Sequence, residues 1–220
     1  MPKARHERTR WISHFESLIR EVLGGVPLDA DESTKVAYIE GFRDEFGNRR
    51  ASDRAFLCHL LGVELQPERD ASSMALDERL WWCVARREPL PTGLIAPTDG
   101  LLPNPDELAI EYRTMIELCA MHAFWSIALR HSDDSLRTRA MEAAGWHASE
   151  LQPDNAINRP WGIAVYLELA IRTDDDELAM VTDMYAQTLL HNACINFGRP
   201  DLLSALILKN AIWQLRVGDQ

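Results

Sequence analysis

Two cysteine–histidine pairs are the chemically sharpest pattern in the sequence. Cys119 and His122 are three residues apart, and so are His191 and Cys194. Side chains at this spacing project from one face of a helix, and two thiolates with two imidazoles make a tetrahedral zinc site. Cysteine and histidine are also ordinary core residues, and nothing in the spacing brings the two pairs together. We therefore expect no bound metal and no cofactor.

A second pattern places polar or amphipathic side chains on helices that are otherwise apolar. Buried amides and imidazoles need hydrogen-bonding partners, so these groups either hold helices in register or line an internal polar pocket. The candidate ligand-binding residues on this argument are His122, Trp125, His191, Asn192 and Asn196.

Two further features in the second half of the chain favour partly exposed groups. Trp161 shares the predicted polar side of its helix with Glu168 and Arg172, so we expect its ring to be partly exposed. His147 and Glu150, three residues apart, form either an acid/base pair or an ordinary surface pair. Neither feature assigns a catalytic residue.

Signature motifs of known enzyme chemistries are missing from the sequence. It contains no Walker loop, GxGxxG, GxSxG or HExxH motif. The acidic run at residues 174–177 lacks the DDxxD spacing of a metal–diphosphate motif and lies at a predicted helix start, where carboxylates offset the helix dipole. The sequence therefore leaves open whether the protein is an enzyme.

Composition narrows the classes of partner. The 220 residues carry a formal net charge of −11, which disfavours nucleic acids, because their binding depends on neutralising phosphates. The longest uncharged stretch, residues 184–198, is shorter than the about 20 apolar residues of a membrane-spanning helix. We expect neither a nucleic acid nor a membrane as a partner. The classes of partner that stay compatible with the composition are another protein and a second copy of the chain.

Cysteine usage indicates the compartment. The four cysteines form no CxxC pair, and the chain is too long for a small disulfide-stabilised fold. Free thiols are typical of a reducing compartment, and the first residues lack the apolar segment of a signal peptide. The sequence therefore predicts a cytoplasmic protein.

The elements that must hold these residues are predicted to be helices throughout. Apolar residues recur at three- and four-residue spacing, and no alternating run is bounded by a hairpin turn. Ser52 and Thr173 are the predicted N-caps of the third and eighth helices. The predicted helices span residues 3–23, 32–46, 53–62, a stretch beginning after Ser73, 105–130, 134–150, 160–173, 174–196 and 200–218.

The faces of these helices predict how they pack. In the helix over 105–130, apolar residues cover nearly the whole circumference, and only Arg113 and Glu117 mark a narrow polar side. A helix that is apolar all round is buried, and the helices from Leu178 and Leu202 are similar. The sequence thus predicts an all-α fold, either a layered helical bundle or a helix-pair superhelix, with several fully buried central helices.

Residues 88–105 are the best candidate boundary, because they contain five of the eleven prolines. Several leucines make this stretch too apolar for a free linker, so we expect it to lie on the helices. The prediction is one helical domain over 1–220. Its alternative subdivision is outer helices at 1–87, a proline-rich crossover at 88–104 and a helical core at 105–217. Arg-Pro dipeptides at 159 and 199 leave a 40-residue repeat open.

Two functions follow from these observations. The first is a soluble, non-catalytic helical scaffold or protein-interaction module, favoured by the density of buried helix and the lack of signature motifs. The second is a small-molecule-binding protein or enzyme with an internal polar pocket, with metal assistance as one option. A concave cavity among the candidate residues would favour the second function, and a solid core would favour the first.

Overall fold

The computed structural model describes residues 2–103, 108–151 and 157–218. These residues form helices and no strands, which confirms the predicted all-α class, and none of the helices they form is long and apolar enough to cross a membrane. Short 3-10 turns follow the first helix at Val22–Gly25 and precede the fourth at Ala71–Ser73. The helices are α1 (Pro2–Ile19), α2 (Glu32–Gly41), α3 (Ala51–Leu61), α4 (Leu76–Arg86), α5 (Ile110–His131), α6 (Asp134–Glu150), α7 (Ile163–Arg172), α8 (Asp176–Cys194) and α9 (Leu202–Val217).

Helix α5 lies at the centre of the protein. It contacts α4, α6, α7 and α9, and every residue from Ile116 to Leu129 is buried. Leu118, Met121 and Trp125 have no exposed surface. The burial predicted from the apolar circumference of this helix is confirmed.

The other helices form layers around α5. Helix α7 is buried from Ile163 to Leu169, and α9 packs between α5 and α1. Helices α1 and α8 cover α7 from outside. One hydrophobic cluster extends from Trp11 to Leu215, so the fold is the layered helical bundle of the prediction.

Helices α3 and α4 lie deeper than their predicted place in an outer layer. Helix α4 is packed between α3 and α5, so both of its sides are covered. Phe56 of α3 and Trp81 of α4 have no exposed surface, and their ring centroids are 4.8 Å apart. The apolar spacing in these two helices did not indicate that α4 is covered on both sides.

Side-chain caps explain where several predicted helix ends were wrong. Helix α2 ends at Gly41 instead of 46, because the Asp44 carboxylate accepts the N–H groups of Phe46 and Asn48 and folds a turn there. Helix α3 begins at Ala51, so Ser52 is not its N-cap. Helix α8 is capped by Asp175 and not by Thr173. The central helix begins at Ile110 with Ala109 as its N-cap, so the predicted start at 105 is too early; residues 104–107 lie outside the described part of the chain.

The proline-rich crossover lies against α5 and α6, as predicted. Both carboxylate oxygens of Glu117 accept backbone N–H groups, one from Leu101 and one from Leu102, each over 2.9 Å. The Arg139 guanidinium donates to carbonyl oxygens on the same segment, including that of Gly100 over 2.7 Å. The prediction that Glu117 marks a polar, wet side of α5 is therefore wrong, because the crossover covers it completely. The division of the chain into domains stays a prediction.

Candidate functional site

The five candidate ligand-binding residues lie in different environments. His122 and Trp125 on α5 have no exposed surface, and Asn192 is 3% exposed, whereas His191 and Asn196 are exposed. Helix α8 lies at the edge of the bundle, so one of its faces is buried and the other meets solvent. The expectation that these residues line one internal pocket is therefore wrong, and so is the expected burial of Asn196, which follows the end of α8.

His122 belongs instead to a chain of hydrogen bonds that runs from the core to the surface. The backbone N–H of Gly162 donates to His122 Nδ1 over 3.1 Å, and His122 Nε2 lies 2.9 Å from Asn210 Oδ1. Asn210 Nδ2 lies 3.3 Å from His59 Nε2. His59 Nδ1 lies 3.3 Å from Arg130 Nη2. We refer to these five residues as the polar chain.

Four helices position the polar chain. His59 projects from α3, His122 and Arg130 from α5, and Asn210 from α9. Gly162 precedes α7 with a φ of 74°, a left-handed conformation that glycine adopts readily. This conformation directs the backbone N–H of Gly162, the N-cap residue of α7, at the His122 ring.

The surroundings of the polar chain keep both imidazoles neutral at pH 7. Burial lowers the pKa of His122 to about 3. Burial also lowers the pKa of His59 to about 4, and the positive charges of Arg130 and Arg87 add to this effect. The Trp81 ring lies 5.7 Å from the His122 ring and stacks on the His59 ring at 5.9 Å.

A second contact joins the same two helices, α5 and α9. Gln214 Nε2 donates to the backbone carbonyl of His122 over 2.9 Å and to Ser126 Oγ over 2.8 Å. Together with the contact between His122 and Asn210, it fixes the position of α9 along α5. In the core, these polar groups thus hold helices in register, which was the alternative to a ligand pocket.

The expected exposure of Trp161 is wrong. Its ring is 1% exposed and packs edge-on against Phe56 at 5.0 Å. The carboxylate of Glu168 is buried as well, because Arg8 binds it with bonds of 2.5 and 2.8 Å and Arg172 with one of 2.7 Å. What the sequence presents as a polar helix side is a buried ion-pair cluster that joins α1 to α7.

His147 and Glu150 form neither an acid/base pair nor a surface pair. His147 is fully buried, and burial lowers its pKa to about 3, whereas Glu150 is exposed. The hydroxyl oxygens of Tyr166 and Tyr185 lie 3.0 and 2.8 Å from His147 Nδ1. The histidine therefore joins α6, α7 and α8 inside the protein.

The two cysteine–histidine pairs lie in unlike places. Cys119 and His122 have no exposed surface, and burial raises the pKa of the Cys119 thiol well above its usual value. Cys194 is half-buried beside the exposed His191. Within 2–103, 108–151 and 157–218, no three His, Cys, Asp or Glu residues are grouped as a metal site requires.

The outer side of α8 carries a feature that the sequence analysis missed. Met180, Met184 and Ile195 are 57, 58 and 52% exposed. With Gln187 and His191 they follow one another at three- and four-residue spacing, and we name these five residues the α8 face. Their three- and four-residue spacing is a signal in the sequence, but the apolar circumference of the same helix predicts complete burial, and that prediction is wrong for α8.

A groove borders the α8 face on the side of α1. It has a volume of about 670 Å³, and its walls include Trp11 and Leu18 from α1 and Leu190, His191 and Cys194 from α8. The α8 face and this groove form one largely apolar surface. Comparison of the chain with protein-family models, with curated proteins and with solved structures found no match.

Proposed function

We propose that the protein is a non-catalytic helical interaction module that associates with a second copy of itself through the α8 face. The observation that carries this proposal is the row of exposed apolar side chains on α8. Large exposed apolar groups in one contiguous patch are typical of interaction sites. A ligand pocket around His122 and Trp125 is disfavoured, because neither residue has exposed surface.

The spacing of the α8 face favours another helix as its partner. Met180, Met184, Gln187 and His191 are separated by four, three and four residues, which is the pattern of a helix–helix seam. The opposite side of α8 is already used, since Tyr185 and Leu189 are buried in the bundle. The α8 face is therefore free to pack against a helix from outside.

The order of residues along the α8 face favours an antiparallel copy of the same helix. A two-fold axis between Gln187 and Thr188 places Met180 opposite Ile195 of the second copy and Met184 opposite His191. Each contact then occurs twice, as a two-fold interface requires. The pair of Met180 and Ile195 at each end is apolar, Met184 packs on the His191 ring, and the exposed amide of Gln187 lies near the centre.

Charge supports the same orientation. Helix α8 begins with an acidic run at 174–177, and the exposed Arg199 follows its other end. In an antiparallel pair, the acidic start of one α8 lies near the end of the other, where Arg199 follows. The two helix dipoles then also oppose each other favourably. A parallel pair would instead bring the two acidic runs together.

Sedimentation equilibrium of the purified chain tests the association. We expect a mass of twice 25.0 kDa. Met184→Glu places a charge in the seam and should give the monomer mass. Phe46→Glu is the matched control, because Phe46 is 55% exposed elsewhere on the surface, and it should leave the dimer intact. A wild-type chain that remains monomeric at about 0.1 mM would contradict the proposal, since even weak complexes are populated there.

Disulfide cross-linking tests the orientation. In a Cys194→Ser background, Gln187→Cys should cross-link readily, because the two copies of this position face each other across the axis. Met180→Cys should not, because its two copies lie about 20 Å apart in an antiparallel pair. Equal cross-linking of both variants would indicate a parallel pair. A cytoplasmic location is part of the proposal and rests on the four free cysteines.

A further inference from the structure

We infer that His59 and Arg130, at the outer end of the polar chain, bind an oxyanion through a carboxylate or phosphate oxygen. This inference is independent of the proposed function, because His59 and Arg130 belong to α3 and α5, and neither of these helices has more than marginal contact with α8. It rests on hydrogen-bond accounting and on charge.

The first step is that the polar chain has a donor at each end. The N–H of Gly162 donates to His122 Nδ1, so the proton of the neutral ring is on Nε2 and is donated to Asn210 Oδ1. The NH2 group of Asn210 then faces His59 Nε2. This nitrogen must accept, so the proton of the neutral His59 ring is on Nδ1.

The second step is that His59 Nδ1–H faces another donor. A guanidinium has no acceptor atom, and Arg130 Nη2 lies 3.3 Å from His59 Nδ1. Exchanging the oxygen and nitrogen of the Asn210 amide would remove this contact between two donors, but it would place the Asn210 NH2 group against the Nε2–H of His122. The contacts of His122 are shorter, at 3.1 Å to the Gly162 nitrogen and 2.9 Å to Asn210 Oδ1, which favours the first arrangement. The conflict therefore belongs at the outer end, where an acceptor oxygen between the two donors would resolve it.

The third step is electrostatic. The charged groups that act on His59 are Arg130 and Arg87, and the one that acts on Arg130 is Arg87. All are positive, and within the described part of the chain no carboxylate forms an ion pair with Arg130. Burial lowers the pKa of Arg130, and its Nη1 is bound to the Val84 carbonyl. A cationic cluster without a counter-ion favours an anion.

Access is the fourth step. Arg87 is exposed, and His59 and Arg130 keep part of their surface in solvent. A groove of about 390 Å³ lies beside His59. Its walls include Asn210, Lys209 and the ion pair between Glu16 and Arg216, whose opposite charges offset each other. This space accommodates a small carboxylate or a phosphate group, and Lys209 adds a further positive charge.

Titration of the full-length protein with inorganic phosphate, and separately with acetate, tests the inference. The readouts are the ring nitrogen signals of His59 by NMR and the heat of binding, at constant ionic strength with chloride as the reference anion. We expect saturable binding below about 20 mM. Saturation with phosphate alone would identify a phosphate ligand, and saturation with acetate alone a carboxylate. No saturable change with either anion would overturn the inference.

Variants separate a specific site from general charge. Arg130→Gln should weaken binding about tenfold or more, as expected for loss of a charged hydrogen bond. Because Arg130 also contacts the Val84 carbonyl, the exposed Arg87→Asn serves as a second variant and should weaken binding several-fold without altering the fold. Arg43→Gln is the matched control, since Arg43 is exposed and lines a different groove, and it should leave binding unchanged. Equal weakening by all three variants would overturn the inference.

Discussion

His122 Nε2 on α5 lies 2.9 Å from Asn210 Oδ1 on α9, at a point where the two residues are 0 and 3% exposed. Polar contacts at such depth specify one register between two apolar helices, because any slip leaves a donor or acceptor without a partner. The contact therefore explains why a core made largely of leucine, alanine and isoleucine packs in one arrangement.

Removal of the Asn210 amide should be costly. Asn210→Ala leaves the Nε2–H of His122 buried without an acceptor, and we expect a loss of about 2 to 3 kcal/mol in the free energy of unfolding. Asn196→Ala is the matched control, because Asn196 is exposed, and it should change stability by less than about 0.5 kcal/mol. Urea denaturation measures both, and equal midpoints would show that the contact is dispensable.

Acid should destabilise the protein through its buried histidines. Burial lowers the pKa values of His122 and His147 to about 3 and that of His59 to about 4. The unfolded chain, with histidine pKa values near 6.5, thus binds more protons below that pH. The stabilisation is complete above pH 6.5 and is lost as the pH falls towards 3, by up to about 1.4 kcal/mol per pH unit for each histidine.

Denaturation at pH values between 4 and 7 measures this slope. His147→Gln should reduce it by up to about 1.4 kcal/mol per pH unit, because one buried imidazole is removed. His131→Gln is the control at an exposed position and should leave the slope unchanged. A slope that is the same in His147→Gln as in the wild type would show that this histidine does not contribute.

The crossover should not tolerate a side chain at Gly100. A Cβ atom there would overlap Glu117 Oε1 and lie 3.0 Å from the Trp146 ring, and Glu117 cannot move because both its oxygens are bound. We expect Gly100→Ala to cost about 1 to 3 kcal/mol. Gly41→Ala, with no atom within 4 Å, should be neutral or slightly stabilising. Thermal unfolding of the two variants provides the comparison.

The central helix shows what local sequence determines. A helix with apolar side chains around its whole circumference is stable only when it is buried on every side. The burial of Leu118, Met121 and Trp125 therefore follows from the sequence pattern alone. The helical class follows in the same way from three- and four-residue spacing. Both are properties of one segment and need no knowledge of its neighbours.

Burial of the polar residues depends on distant partners, and that is where the sequence analysis failed. Glu117 is buried because the crossover donates two N–H groups to it, and Glu168 is buried because Arg8 reaches it from α1. The polar chain likewise joins residues from four helices. Conversely, Met180 and Met184 are exposed because none of the helices formed by the described residues covers that side of α8. A charged residue carries no local signal for burial, and the spacing of the two methionines does not by itself show which side of α8 lacks a neighbouring helix.

Helix α8 offers a direct comparison between its buried and exposed sides. Leu189 has no exposed surface, whereas Met184 is 58% exposed. Leu189→Ala should cost about 2 to 5 kcal/mol because it leaves a cavity in the core. Met184→Ala should cost less than about 1 kcal/mol when unfolding is measured at a concentration where the chain is monomeric. Similar denaturation midpoints for the two variants would contradict the orientation of α8.

Asp53 should make the free energy of unfolding fall as the pH rises, which is the opposite of the pH dependence that the buried histidines cause. It is 2% exposed, and burial raises its pKa to about 6, although the backbone N–H and the charge of Arg50 oppose this rise. The folded state thus binds more protons than the unfolded state between about pH 4 and 6. The contribution of Asp53 to stability is fully present below pH 4 and is lost as the pH rises through 6, with a cost of about 2 to 3 kcal/mol at pH 7.

Asp53→Asn isolates this cost, because an amide oxygen can still accept the Arg50 N–H that begins α3. The variant should match the wild type near pH 3, where Asp53 is largely protonated in both states, and should gain stability relative to it as the pH rises to 7. The exposed Asp29→Asn is the control and should show no such divergence. If the free energies of unfolding of Asp53→Asn and the wild type differ by a constant amount from pH 4 to 7, the prediction is wrong. The variant would then act through hydrogen bonding alone, and ionisation of Asp53 would not destabilise the folded protein.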